Sequence, residues 1–211
     1  MKMLIPKKKD ILITGEEDPL VYYYLPIINH FYRMRLWMVL NLMPNSKFDR
    51  LLDIGYGSGI FFLELAKYAE HLYGVDIHQD GDKVKGALKK YHIDVELKTG
   101  NVLELPYEDE QFNAIVCISV LEHIKNLERA INEIKRICTK EGVMFFGFPV
   151  RNRFTSSFYT SVGFDHKTHH PSDHRTILEK LNKQTKILRQ ITYPALLPLD
   201  FNLYVSCSCS K

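Results

Sequence analysis

The sequence predicts an α/β fold, a mostly parallel seven-stranded sheet covered by helices and closed by an antiparallel pair of strands. Three observations carry that expectation. From residue 50 onward, short apolar runs alternate with helical stretches, a pattern that gives parallel strands joined by right-handed crossovers. The runs at 51–54 and 114–118 lack polar alternation, as strands covered on both faces do. The last two runs are separated only by 193–200, which holds Pro194 and Pro198 and has no helical pattern. A connection that short joins antiparallel strands.

The elements follow in order. Residues 18–43 precede the alternation, and there Leu36, Val39, Leu40 and Met43 form a helical apolar stripe. Strands are expected at 50–54, 71–75, 94–98, 112–119 and 142–147. Helices are expected at 60–69, near 80–91 and at 121–138. The last of these carries Leu121, Ile124, Leu127, Ile131, Ile134 and Ile137 at helical spacing. A helix at 173–183 then leads to strands at 185–192 and 201–208. Residues 149–173 show no clear periodicity, and a loop of that length is usually functional. One domain spanning 1–211 is expected. Its parts are a helical cap at 1–45, a core at 50–149, a substrate loop at 150–172, and a helix with a strand pair at 173–211.

Composition sets the class. The 211 residues are 45% hydrophobic and 25% charged, enough for one globular domain with a layered core. A net charge of +3, spread along the chain, gives no nucleic-acid footprint. Lys7, Lys8 and Lys9 read as a solvated tail. Cys117, Cys138, Cys207 and Cys209 have no C-x-x-C spacing and read as buried thiols in a reducing compartment. Pro6 and the lysines break the opening apolar run, so no signal-peptide core develops. No apolar run reaches the ~20 residues of a membrane span. A cytoplasmic protein is expected, with its oligomeric state open.

The most informative stretch is Leu-Leu-Asp-Ile-Gly-Tyr-Gly-Ser-Gly at 51–59. A buried strand ends in Asp53, and Gly55, Gly57 and Gly59 follow at alternate positions before a helix start. Glycines there let a ligand lie against the backbone at a helix N-terminus. A second apolar run ends in Asp76, about 20 residues beyond the loop, where a ribose-binding acid sits in βαβ nucleotide sites. Asp76 reads either as that acid or as a helix cap. A ligand on an open α/β sheet binds outside the carboxyl ends of the strands. That rule gathers Asp53, Gly55, Asp76, Asn101, Ser119 and His123 at one edge.

The pattern Asp53-x-Gly55-x-Gly57-x-Gly59 resembles motif I of the class I S-adenosylmethionine (SAM)-dependent methyltransferases. Further pieces agree in order. Thr99-Gly100-Asn101-Val102 follows the third strand, where the family commonly has Gly-Asp. Leu105-Pro106-Tyr107, an acidic turn, the run at 112–119 and Val120-Leu121-Glu122-His123 resemble the type 11 group of small-molecule methyltransferases. The resemblance is strong over 51–149 and implies a Rossmann-like, doubly wound domain with an N-terminal helical cap. It implies SAM as cofactor and a small-molecule methyl acceptor.

Under that resemblance the cofactor residues are Asp53, Gly55, Tyr56, Gly57, Gly59, Asp76, Ile77, Asn101, Val102 and Ser119. The side-chain carbonyl of Asn101 would take the place of the family's acid at the adenine amino group. His123 is the candidate polar or basic group beside the methyl. Tyr22 and Arg33 of the cap, with its run of tyrosines, either reach the ligands or pack the cap. His166, His169 and His170 lie in the loop with several aromatic residues. They read as substrate contacts or a general base, as surface residues, or as ligands of a metal that the group does not ordinarily need. Two other functions stay open: a SAM- or nucleotide-binding module without catalysis, and an NAD-dependent oxidoreductase, whose fingerprint is the different spacing G-x-G-x-x-G.

Overall fold

A computed structural model describes residues 3–14, 18–152 and 171–211. Its strands are β1 (Phe48–Ile54), β2 (Ala69–Asp76), β3 (Glu96–Thr99), β4 (Phe112–Ile118), β5 (Cys138–Pro149), β6 (Lys186–Tyr193) and β7 (Tyr204–Ser210). They form one sheet in the order β3-β2-β1-β4-β5-β7-β6. The pairings among β1 to β5 are parallel, while β7 runs antiparallel to both β5 and β6. The strand order reverses between β1 and β4, so the crevice beyond their carboxyl ends is the place for a ligand.

Helices cover both faces. On one side lie α1 (Ile28–Leu40), the single turn α2 (Phe62–Leu65) and α3 (Gly81–Lys89). Their Leu36, Val39, Phe62, Leu65, Val84 and Leu88 pack with Leu51, Ala114, Val116 and Phe145 of the sheet. On the other side α4 (Leu127–Ile137) and α5 (His174–Gln184) pack with Leu52, Ile115, Phe146 and Val205. Adjacent residues of β1 thus enter opposite cores, which is why its sequence is apolar without alternation. Leu127, Ile131, Ile134 and Ile137 are buried on α4, each contributing about 1.5–3 kcal/mol relative to exposure.

The structure departs from the expected elements at four points. The helix expected at 121–138 is a 3-10 turn (Leu121–His123) followed by α4, separated by an extended Ile124 at φ −100°, ψ 123°. Asn126 starts α4 by accepting a hydrogen bond from Arg129 N at 3.2 Å, a capping signal that the continuous apolar spacing hid. The helix expected at 60–69 shortens to Phe62–Leu65, because β2 already begins at Ala69 to pair with Phe48. The strand expected at 142–147 extends over twelve residues as β5. In the cap, a 3-10 turn (Pro19–Tyr23) precedes α1, and Asp18 caps it by accepting from Leu20 N.

Candidate functional site

Gly55, Gly57 and Gly59 all adopt left-handed backbone, at φ +76°, +50° and +76°. Their surroundings differ. A Cβ on Gly55 would lie 2.3 Å from Val120 Cγ2, and one on Gly59 would lie 2.7 Å from Val84 Cγ1. A Cβ on Gly57 would meet nothing nearer than Asp18 Oδ1 of the cap, at 4.0 Å. The loop is therefore packed on the protein at its two ends and open at its middle.

Asp76 ties this loop to β2. Its Oδ2 accepts a hydrogen bond from Gly57 N at 2.8 Å, and its Oδ1 accepts from Ile77 N at 2.7 Å. Carboxylate oxygens hold further acceptor capacity beyond those bonds. His78, which the sequence reading passed over, completes the arrangement. Its Nδ1 accepts from Asp80 N at 3.1 Å, which leaves the proton on Nε2 to be donated to Gly57 O at 3.0 Å. Asp53 is buried at the end of β1, and burial first, then the nearby Asp76 charge, pushes its carboxyl well above the usual range.

The other expected cofactor residues take several positions. Tyr56 turns its ring inward between Phe62 and His78, so only its backbone borders the loop. Burial raises its hydroxyl strongly, and the oxygen has no hydrogen-bond partner. Ile77 is exposed beside Asp76, and Val102 is buried in the core. Asn101 is exposed, and its Oδ1 accepts from Leu103 N at 2.9 Å. That oxygen, expected at an adenine amino group, already closes a turn in its own chain.

Ser119 follows β4 with φ +55° and sits in a polar cluster under the cap. Its Oγ accepts from Arg35 Nη1 at 3.1 Å and shares a hydrogen bond with Tyr204 Oη at 2.9 Å. Arg35 also donates to Tyr23 Oη at 3.2 Å, and its guanidinium lies 4.2 Å from the Tyr32 ring centre. Burial raises the hydroxyls of Tyr23 and Tyr204, and the Arg35 charge opposes this at both. Glu122, one turn beyond Ser119, is only 3% exposed. Burial raises its carboxyl, opposed by the charge of His123, its own backbone N–H, Arg35 and Ser119.

His123 lies half-buried in the same turn. Tyr22 stacks on Tyr32 with ring centres 5.1 Å apart, and Arg33 donates to Tyr23 O at 3.3–3.4 Å. Both of these side chains thus pack the cap upon itself. The cap residue that reaches the sheet edge is instead Arg35. The sequence held a signal for it, since Arg35 and Val39 share i, i+4 spacing on the buried face of α1. His166, His169 and His170 lie outside the described residues. Among the described residues, no group of three or more His, Cys, Asp or Glu side chains comes together to hold a metal. Nor is any helix among them long and apolar enough to cross a membrane.

Comparison with known proteins agrees with this geometry. The model of the methyltransferase domain of type 11 matches residues 52–146. An uncharacterized protein of Methanocaldococcus jannaschii is 34% identical over 105 residues, covering 50% of this chain and 43% of that protein. The ubiquinone biosynthesis O-methyltransferase of Coxiella burnetii is 27% identical over 121 residues, covering 57% of this chain and 51% of the enzyme. The chain spans about half the length of the curated relatives it matches. Among solved structures, N-methyltransferase NodS from Bradyrhizobium japonicum, in complex with S-adenosylhomocysteine, has a TM-score of 0.67. That likeness covers 94% of each chain at 16% identity and so concerns the fold. The end of β1, the glycine loop, β2 and the Ser119–His123 turn all fall within the matched segment, and residues 52–146 are similar to the methyltransferase domain.

Proposed function

We propose that this protein is a methyltransferase that moves the methyl group of SAM to a small-molecule acceptor by in-line transfer. The observation that carries the reading is the open middle of the glycine loop. Gly57 presents left-handed backbone to a gap that a side chain would fill, and the Asp76 carboxylate lies one hydrogen bond away. Such a loop, placed after the first strand of a parallel sheet, fits a nucleoside-bearing ligand. The donor set suits SAM: backbone at Gly55, Gly57 and Gly59, a carboxylate at Asp76 for ribose hydroxyls, and Asn101, Ile77 and Val102 bordering the adenine side.

When bound, SAM supplies a methyl group already activated by a sulfonium. The work left to the protein is alignment and the exclusion of water. His78 and Asp76 hold the loop backbone through Gly57. The cap lies over the edge through Asp18, and Arg35 joins it to Ser119. In this reading His123 stands beside the methyl, while Tyr22, Arg33 and the loop with His166, His169 and His170 govern acceptor entry. The protein works in the cytoplasm, where Cys117, Cys138, Cys207 and Cys209, all free and buried, stay reduced.

Calorimetry with SAM, S-adenosylhomocysteine and NAD tests the cofactor. Methyl-labelled SAM offered with a metabolite panel tests catalysis. Binding of SAM and S-adenosylhomocysteine is expected. Binding of NAD alone overturns the reading, and SAM binding without transfer to any acceptor reduces it to a sensor or carrier.

A further inference from the structure

The polar cluster beneath the cap contains a buried carboxyl to which the SAM reading gives no role. Glu122 is buried at 3% exposure, and its Oε2 has no hydrogen-bond partner. It follows Ser119 on the turn that leaves β4, at the carboxyl edge where the ligand crevice lies. A buried carboxyl oxygen without a donor is unfavourable, and a catalytic role is one reason such a group is kept. The groups around Glu122 come from several elements: Arg35 of α1, Cys117 of β4, Ser119, His123 of the same turn, and Tyr204 of β7. Among these, Arg35, Ser119 and Tyr204 are already bonded to one another. A bound acceptor can supply the donor that Glu122 Oε2 lacks.

We propose that Glu122 receives the methyl acceptor, accepting a hydrogen bond from its O–H or N–H and taking that proton during transfer, so that the acceptor is a hydroxyl or amine compound. This rests on the SAM reading above. The balance is simple. The acceptor's oxygen or nitrogen forms the bond to the methyl carbon and gives up one proton to Glu122 Oε2. The electron pair of the broken carbon–sulfur bond stays on sulfur. Burial favours the protonated product state of Glu122, and the His123 and Arg35 charges oppose that shift. A carboxylate acceptor has no proton to give, and two carboxylates would repel in this buried setting.

The test uses the full chain and labelled SAM with four probes: catechol, benzylamine, octanoate and acetylacetone. Label is expected in catechol or benzylamine. Glu122→Gln is expected to lower kcat at least ~50-fold, as loss of a general base does. It should leave SAM affinity, read by calorimetry, within about threefold. In the presence of S-adenosylhomocysteine, the variant should also bind the methylated probe's parent compound more weakly. Wild-type kcat should fall as pH drops through the Glu122 pKa, and the variant's profile should be flat. Label only in octanoate or acetylacetone, label in none of the four, or wild-type kcat in Glu122→Gln overturns the proposal. A protein that fails to bind SAM at all refutes the cofactor reading first, a separate result of the same calorimetry. If Glu122→Gln does not fold, Glu122→Ala is read in the same way. If neither folds, Glu122 is a structural group and the proposal is overturned.

Discussion

Alanine placed at each glycine of the loop should separate stability from binding. Every L-residue in left-handed backbone carries a cost of ~1–2 kcal/mol, so Gly57→Ala should lose about that and little more. Its new Cβ touches nothing closer than Asp18 Oδ1 at 4.0 Å. Gly55→Ala bears the same backbone cost and also drives a Cβ to 2.3 Å from Val120 Cγ2. Overpacking of that kind adds ~1–3 kcal/mol, for a total of roughly 2–5 kcal/mol. For a chain of this size each kcal/mol moves the melting temperature by about 2–4 °C. Gly57→Ala should therefore melt ~2–8 °C below wild type, and Gly55→Ala ~4–20 °C below. Binding should follow the opposite order per unit of stability lost. At Gly57 the added atoms enter the gap between loop and cap, so Gly57→Ala should weaken SAM binding and Gly57→Val should abolish it. Thermal melts without ligand and calorimetry with SAM on the same preparations give both readings. Equal destabilisation at positions 55 and 57, or full SAM affinity in a folded Gly57→Val, would refute the reasoning.

Three other outcomes are expected. Asp76→Ala should weaken SAM binding by ~1–3 kcal/mol, the range for removing hydrogen-bond partners of a buried ligand, and unchanged calorimetry in the folded variant would remove Asp76 from the site. Asn101→Asp should bind SAM no worse than wild type, because an acceptor oxygen remains to take the Leu103 N–H; a large loss would mean that the amide NH2 faces the ligand. Asp53 has its folded pKa raised above the ordinary 3.8, so the folded state holds its proton more tightly. Its contribution is complete below that ordinary value and is lost as pH rises through the folded value. The ligand-free melting temperature should then fall less steeply above about pH 4 in Asp53→Asn than in wild type, and parallel pH curves would exclude Asp53 as a cause.

The sheet was legible because its signals are local. Unalternating runs such as 51–54 and 114–118 mark strands buried on both faces, and the glycine spacing marks a backbone conformation that few other residues adopt. Helix ends were less legible. Apolar residues keep helical spacing from Leu121 to Ile137, yet Asn126 caps a new helix within that span and leaves Leu121–His123 as a separate turn. Spacing reports which face is buried, and a cap decides where the backbone bends. The same limit hid His78, whose role depends on two backbone contacts, Asp80 N and Gly57 O. No pattern in the sequence encodes those.

The two halves of the site differ for a physical reason. The glycine-loop side is built from backbone shape, which leaves a compact trace in the sequence. The side under the cap is built from single side chains on Arg35, Ser119, Glu122 and Tyr204, carried by three separate segments. Arg35 makes that half depend on the position of the cap, since it bonds to Tyr23 within the cap and to Ser119 at the sheet edge. Lifting the cap would break the Ser119 bond and leave a buried guanidinium to find water. The tyrosines of the cap pack around the Arg35 guanidinium, at 4.2 Å from Tyr32 and 5.8 Å from Tyr23.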